Sequence, residues 1–243
     1  MSTVLFLGAT SDMAISTARL FAQRGHAIQL AGRDIQALQR IADDLRVRYR
    51  SISTIHPFDV TAYDGHATFF SSLDPRPDVV ICFVGVLGDH RKAMTDPEEG
   101  RRIIESNYTG VVSILTLVAA AFRERRSGTI ICISSVAGDR GRGSSYYYGS
   151  SKAGLTAFLS GLRNRHYSSG VHVITVKPGY VATKMTSHLR LPPLLTSSTE
   201  GVAEAIYKGF IKKRNVLYVK GLWRLVMLAI IHIPENIFKK MRL

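Results

Sequence analysis

TVLFLGATSDMA, Thr3 to Ala14, is an unbroken apolar run that ends on a glycine and passes directly into a polar turn and a helical pattern. An apolar run without alternation reads as a strand covered on both faces. Six more β-rich runs follow, several of them continuous in the same way: HAIQLAG, STIHPF, DVVICFVG, GTIICISS, VHVITVKPG and NVLYVKG. Between them lie helical candidates at Asp12 to Arg24, Asp34 to Tyr49, Ala62 to Ser72, Pro97 to Arg126, Tyr146 to Ser168 and Ser198 to Lys213. Strand and helix alternate with no internal repeat and no linker. That order predicts an α/β single-domain, Rossmann-type doubly wound sheet of seven parallel strands with helices on both faces.

The 243 residues, 46% of them hydrophobic, suffice for one core. We assign 1–221 to a catalytic domain and 222–243 to a helical C-terminal extension. Cys82 and Cys132 lie in apolar runs without the spacing of a metal site, so they read as buried strand residues and no metal is expected. The start lacks a basic leader, which predicts a reduced, cytoplasmic protein. The formal charge is +14, and from Lys208 onward nine Lys or Arg face one acid, Glu235. Such a balance suits an anionic partner. The basic residues alternate with Leu, Ile and Val rather than with stacking aromatics, which argues against nucleic acid. Leu222 to Ile233 is apolar almost all round and too short to span a bilayer alone, leaving core packing, a dimer contact or a peripheral membrane contact. Lys177 to Thr199, with three prolines, reads as a lid over the carboxyl edge of the sheet. His188 and Arg190 within it read as solvated loop residues.

The turn after the first strand is suited to a dinucleotide pyrophosphate, with Gly8 permitting close approach and Thr10, Ser11, Asp12 and Met13 opening the helix. Asp12 reads as the helix N-cap. Gly32 and Arg33, at the end of the second strand, offer room and positive charge where an acid would mark NAD. They predict NADPH. In SSYYYGSSKAG, Ser144 to Gly154, only Tyr148 has the four-residue helical spacing to Lys152. A tyrosine is a poor acid–base catalyst at its ordinary pKa of about 10, and a neighbouring ammonium stabilises the phenolate. Ser135 ends the fifth strand, where its hydroxyl can hold a carbonyl oxygen. Asn107, in ESNYTG, can align a water or a backbone group with the lysine.

Asn107, Ser135, Tyr148 and Lys152, in order with GATSDMA, FDV, FVG and KPGYVAT, resemble the short-chain dehydrogenase/reductase family. The resemblance covers Thr3 to about Val219. It implies that Tyr148 donates a proton, Ser135 positions the carbonyl, Lys152 also binds the nicotinamide ribose, and Asn107 supports a proton relay. It places Asp59 and Val60 by the adenine, Gly85 on the ribose side, and Pro178, Gly179, Val181 and Thr183 by the nicotinamide. Two departures stand out. The turn keeps one glycine, and the usual Asn-Asn-Ala-Gly after the fourth strand is Cys82, Phe83, Val84 and Gly85.

Within the family, VGVLGD, SNYTGVVSIL, YYGSSKAGL, KPGYVATKMTSHL and the tail WRLVMLAIIHIPENIFKKMRL are similar to reductases of the 2-keto group of a polyprenylphosphoryl pentose in cell-envelope polysaccharide synthesis. This narrower resemblance implies a lipid-linked sugar ketone as substrate, a flavin oxidase as a partner that supplies it, and a location at the inner face of the membrane. Two long helices suggest a homo-oligomer. The alternatives are a reductase of another ketone, such as a 3-ketoacyl thioester, and a non-catalytic NADP-sensing protein.

Overall fold

The computed structural model describes residues 2–187 and 190–241. Seven strands form a parallel sheet: β1 (Thr3–Leu7), β2 (Ala27–Gly32), β3 (Ser53–Pro57), β4 (Val79–Cys82), β5 (Gly128–Ile133), β6 (Val171–Lys177) and β9 (Val216–Tyr218). Their spatial order is β3-β2-β1-β4-β5-β6-β9. All seven expected strands are present. The chain reverses its direction of travel between β1 and β4, so a crevice opens at their carboxyl ends.

Period-two side chains divide the core. Val4 and Phe6 face the layer of α1 (Asp12–Gln23), α2 (Ile35–Tyr49) and α8 (Thr199–Ile211). Leu5 and Leu7 face α3 (His66–Ser71), α6 (Gly110–Glu124) and α7 (Tyr146–Arg165). Each such side chain, fully buried, contributes about 1.5–3 kcal/mol of hydrophobic stabilisation. Cys82 and Cys132 lie opposite each other on β4 and β5, buried in this second layer.

Local chemistry sets the helix ends. Asp34 caps α2 by accepting from the Ala37 N–H at 2.9 Å, and Ser198 caps α8 by accepting from Gly201 at 3.1 Å. Asp96 precedes Pro97 at the start of α5 (Pro97–Ile104) and accepts from Glu98 at 3.0 Å. A four-residue helix, α4 (His90–Ala93), lies just ahead of it.

The structure corrects several expectations. Pro97 to Arg126 is not one uninterrupted α-helix: a π-turn at Glu105–Thr109 separates α5 from α6, which ends at Glu124. This run is long and apolar enough to cross a bilayer, yet it packs on the sheet as a core helix. Ala62 to Ser72 divides into a 3₁₀ turn, Tyr63–Gly65, and α3. The lid is partly ordered by β7 (Tyr180–Val181) and β8 (Thr196–Ser197), a short parallel pair. The tail forms α9 (Leu222–His232) and α10 (Glu235–Phe238). Trp223 and Met227 of α9 are buried, while Leu225 and Leu228 are 64% and 56% exposed, so the helix is two-faced in its packing.

Candidate active site

The four candidate catalytic residues converge at the carboxyl ends of β4 and β5. Asn107 sits in the π-turn and is completely buried. Its Oδ1 accepts from the Val86 N–H at 2.7 Å, and its Nδ2 donates to the Val86 carbonyl at 2.8 Å and to Ser151 Oγ at 3.1 Å. The extra residue of a π-turn re-aims a side chain within a helix. Here it directs an amide at the strand β4 exit, where it holds both backbone groups of one residue.

Lys152 is only 3% exposed. Its ammonium donates to the Ile133 carbonyl at 3.0 Å and lies 5.8 Å from the centre of the Tyr148 ring. Among the described residues it has no acidic partner, so its charge is aimed at the tyrosine and the crevice. Gly85 leaves the space beside it: a Cβ there would come within 3.0 Å of Lys152 Nζ and 3.3 Å of Asn107 Oδ1. Ser134 secures the backbone beneath, donating to the Lys152 carbonyl at 3.0 Å. Ser135 Oγ accepts from the Ala137 N–H at 3.1 Å. Among the described residues its own hydroxyl proton has no acceptor.

At the β1–β4 crevice, Gly8 has φ +75°, and a Cβ would stand 3.0 Å from the Val84 nitrogen. Only glycine meets both demands. Asp12 is not the N-cap. Ser11 holds that position, and Asp12 is the first helical residue. Its Oδ2 accepts from the Lys184 N–H of the lid at 2.7 Å, which ties the carboxylate to the lid. Thr10 at the apex of the turn is exposed, and Met13 packs on the core edge. Arg33 is exposed at the end of β2 and close enough to Asp59 to lower its carboxyl pKa, although the main cause is the hydrogen bond from the Thr61 N–H. Val60 is buried beside them.

On the far side, Pro178 accepts from the Val136 N–H at 3.0 Å, joining the lid's root to the strand end that carries Ser135. Val181 is buried in the β7–β8 pair, and Thr183 starts a 3₁₀ turn in a reciprocal cap with Thr186. Arg190 is exposed, and His188 lies outside the described residues. A cleft of about 760 Å³ between α1, α8 and the lid shares Asp12 and Thr183 with this groove and touches none of the four catalytic candidates.

Several residues here escaped the sequence reading. The Trp223 ring packs against Gly179, with no space for a Cβ, and its Nε1 donates to the Leu195 carbonyl at 2.9 Å. Val136, next to Ser135, shares its cluster with Trp223 and Met227. Lys177 pairs with Asp139, which also accepts from the Tyr218 hydroxyl at 2.8 Å. Burial, followed by the Asp139 carboxylate, pushes the Tyr218 hydroxyl pKa upward. Glu99 pins the loop after β4: it accepts from the Asp89 N–H at 2.8 Å and from a forked Arg102 at 2.7 and 2.8 Å. None of these follows a spacing rule; a lone tryptophan in a basic tail was the one visible signal.

Residues 2–193 match the short chain dehydrogenase family. An uncharacterised oxidoreductase of Streptomyces coelicolor is 35% identical over 242 residues, covering 98% of this chain and 95% of that protein. The chain belongs to the short-chain dehydrogenase/reductase family. Another relative of this dehydrogenase, the 3-oxoacyl-[acyl-carrier-protein] reductase of Chlamydia muridarum, is 28% identical over 185 residues, with 75% of each chain covered. A short-chain dehydrogenase of Sphingobium yanoikuyae in complex with NADPH superposes with a TM-score of 0.84 at 24% identity, over 100% of this chain and 97% of the other. As an NAD(P)-dependent oxidoreductase of this family, the chain shares its single-domain α/β fold.

Proposed function

We propose that residues 1–221 form an NADPH-dependent ketoreductase that acts on the 2-keto group of a polyprenylphosphoryl pentose in cell-envelope polysaccharide synthesis. The observation that carries the reduction is the buried Lys152 ammonium beneath Tyr148, with no acid to neutralise it among the described residues. The residues present fit the nucleotide: Gly8 and Gly85 hold open the crevice, and the Asp12 carboxylate is occupied by the lid. Gly8, Thr10, Ser11, Asp12 and Met13 would flank the pyrophosphate, Arg33 the 2′-phosphate, and Asp59 and Val60 the adenine. Gly85, Pro178, Gly179, Val181 and Thr183, with Tyr148 and Lys152, would hold the nicotinamide riboside. When bound, NADPH supplies the hydride that reduces a carbonyl carbon.

The protein's share is a proton and its placement. Ser135 donates its free hydroxyl hydrogen to the carbonyl oxygen, fixing it against Tyr148. Tyr148 gives its phenolic proton to that oxygen as it becomes an alcohol. Lys152 stabilises the phenolate left behind. Asn107 keeps the Val86 backbone, and with it the wall opposite Lys152, in one position.

The substrate assignment is supported by the sequence motifs and by the basic, apolar extension 222–243. In this reading the extension meets the inner face of the membrane, a flavin oxidase supplies the keto sugar, and a homo-oligomer is the working form. The relationship to a 3-oxoacyl-carrier reductase favours a second reading on the same catalytic residues, reduction of a 3-ketoacyl thioester. NADPH consumption with a short-chain polyprenylphosphoryl 2-keto-pentose, beside a 3-ketoacyl thioester and a Tyr148→Phe control, separates the two. Turnover of the sugar alone, lost in the control, supports the first reading; turnover of the thioester alone supports the second. Silence on both, with NADPH still bound, leaves a reductase of another ketone or a nucleotide-sensing protein.

A further inference from the structure

Between the loop after Ser135 and α10 lies a groove of about 340 Å³, with Arg142 and Tyr146 on one wall and Glu235, Phe238, Lys239 and Met241 on the other. Its walls are fixed from both ends. Arg140 donates to the carbonyls of Ile230 at 2.8 Å, Ile231 at 2.9 Å and Ile233, satisfying the end of α9. The same guanidinium pairs with Glu235 at 2.9 Å and lies 3.8 Å from the centre of the Phe238 ring. At the other end His90 Nε2 bonds the Gly143 carbonyl at 2.9 Å, and its ring meets Tyr146 edge-on at 4.7 Å.

Charge bookkeeping then singles out an anion. The groove's acid, Glu235, is taken by Arg140. Arg142 and Lys239 have no acidic partner among the described residues, so two cations face one groove unneutralised. The remaining lining is Gly141, Gly143, Tyr146, Phe238 and Met241, and the tail also exposes Ile237 and, on α9, Leu225 and Leu228. A small hydrated anion would use the two cations alone; an anion carrying a hydrocarbon chain would also bury Phe238 and Met241. Tyr146 begins α7 two residues before Tyr148, so the groove and the reacting phenol are carried by the first turn of the same helix, on different faces of it.

We infer that this groove is a subsite for a phosphate ester borne on a long apolar chain, holding the substrate by the part remote from its ketone. The inference rests on the lipid-linked reading above. Calorimetric titration of the full chain with dodecyl phosphate, inorganic phosphate and dodecanol, each without nucleotide or ketone, tests it. Dodecyl phosphate should bind at least about tenfold more tightly than either fragment, as a charge-assisted contact joined to apolar burial requires. Arg142→Ala and Lys239→Ala should each weaken it about tenfold, Arg142→Lys should keep most of the affinity, and Lys240→Ala should change little. Equal binding of inorganic phosphate would remove the apolar part of the proposal, and equal binding of dodecanol the anionic part. Absence of dodecyl phosphate binding to the unaltered chain would overturn it without any variant. If dodecyl phosphate binds as expected but the keto pentose is not reduced, the subsite stands and the substrate assignment falls.

Discussion

Tyr148 and Asn107 illustrate two ways in which a residue can matter. Tyr148→Phe removes one hydroxyl and no packing, so turnover should fall by roughly two to four orders of magnitude while the melting temperature stays put. Steady-state kinetics beside calorimetry would show the split. Asn107→Ala should lose both: the half-buried Val86 N–H and carbonyl lose their partners, at up to about 1 kcal/mol each. Denaturant unfolding measures that loss. Arg33→Ala should raise the KM for NADPH about tenfold and leave that for NADH nearly unchanged, since only the former carries the 2′-phosphate. The positions of Tyr148, Lys152 and Arg33 were legible because each follows from a fixed spacing or a strand end. The setting of Asp12 was not, because its acceptor role depends on a lid residue 172 positions away.

Among the elements, the alternation of apolar runs with helical segments was enough to locate every strand of the main sheet. The five inner strands, buried on both faces, have little compositional freedom, and the half-exposed edges β3 and β9 were placed by the βαβ order. The π-turn was invisible, since ESNYT has ordinary helical residues and its register is set by what Asn107 binds. The packing of α9 was equally hidden: an apolar helix of this length does not declare which face meets the protein. Trp223 decides it. Trp223→Ala should cost about 3–5 kcal/mol and lower affinity for the nucleotide as well, because the ring backs Gly179. The loop after β4 depends on Glu99, whose carboxyl is held down to about 2 by the forked Arg102 and the Asp89 N–H. A folded value below the unfolded 4.5 means that this stabilisation is complete above the unfolded value and is lost as pH falls through about 2. Glu99→Gln should therefore melt below the unaltered protein at pH 6, and the two curves should converge toward pH 2 in a thermal series.

Across the whole molecule, the crevice, the Ser135 strand end, the lid and the C-terminal extension form one continuous wall. Nucleotide that bridges them should stabilise them together. NADPH at a hundred times its dissociation constant should add about 2.7 kcal/mol, visible as a raised melting temperature, and NADH at the same concentration should add less. A single cooperative transition in both cases is expected, because Trp223, Val136 and Tyr180 lock the extension to the sheet. Independent melting of the tail would contradict that description.

The bond from the Lys184 N–H to Asp12 also bears on how such proteins can exchange parts. A transplanted lid that does not present a backbone N–H at the position of Lys184 would leave the Asp12 carboxylate without this donor. The first turn and the lid are in this sense coupled as a pair. A chimera that takes one should bind nucleotide worse than either parent, whereas a chimera that takes both should not.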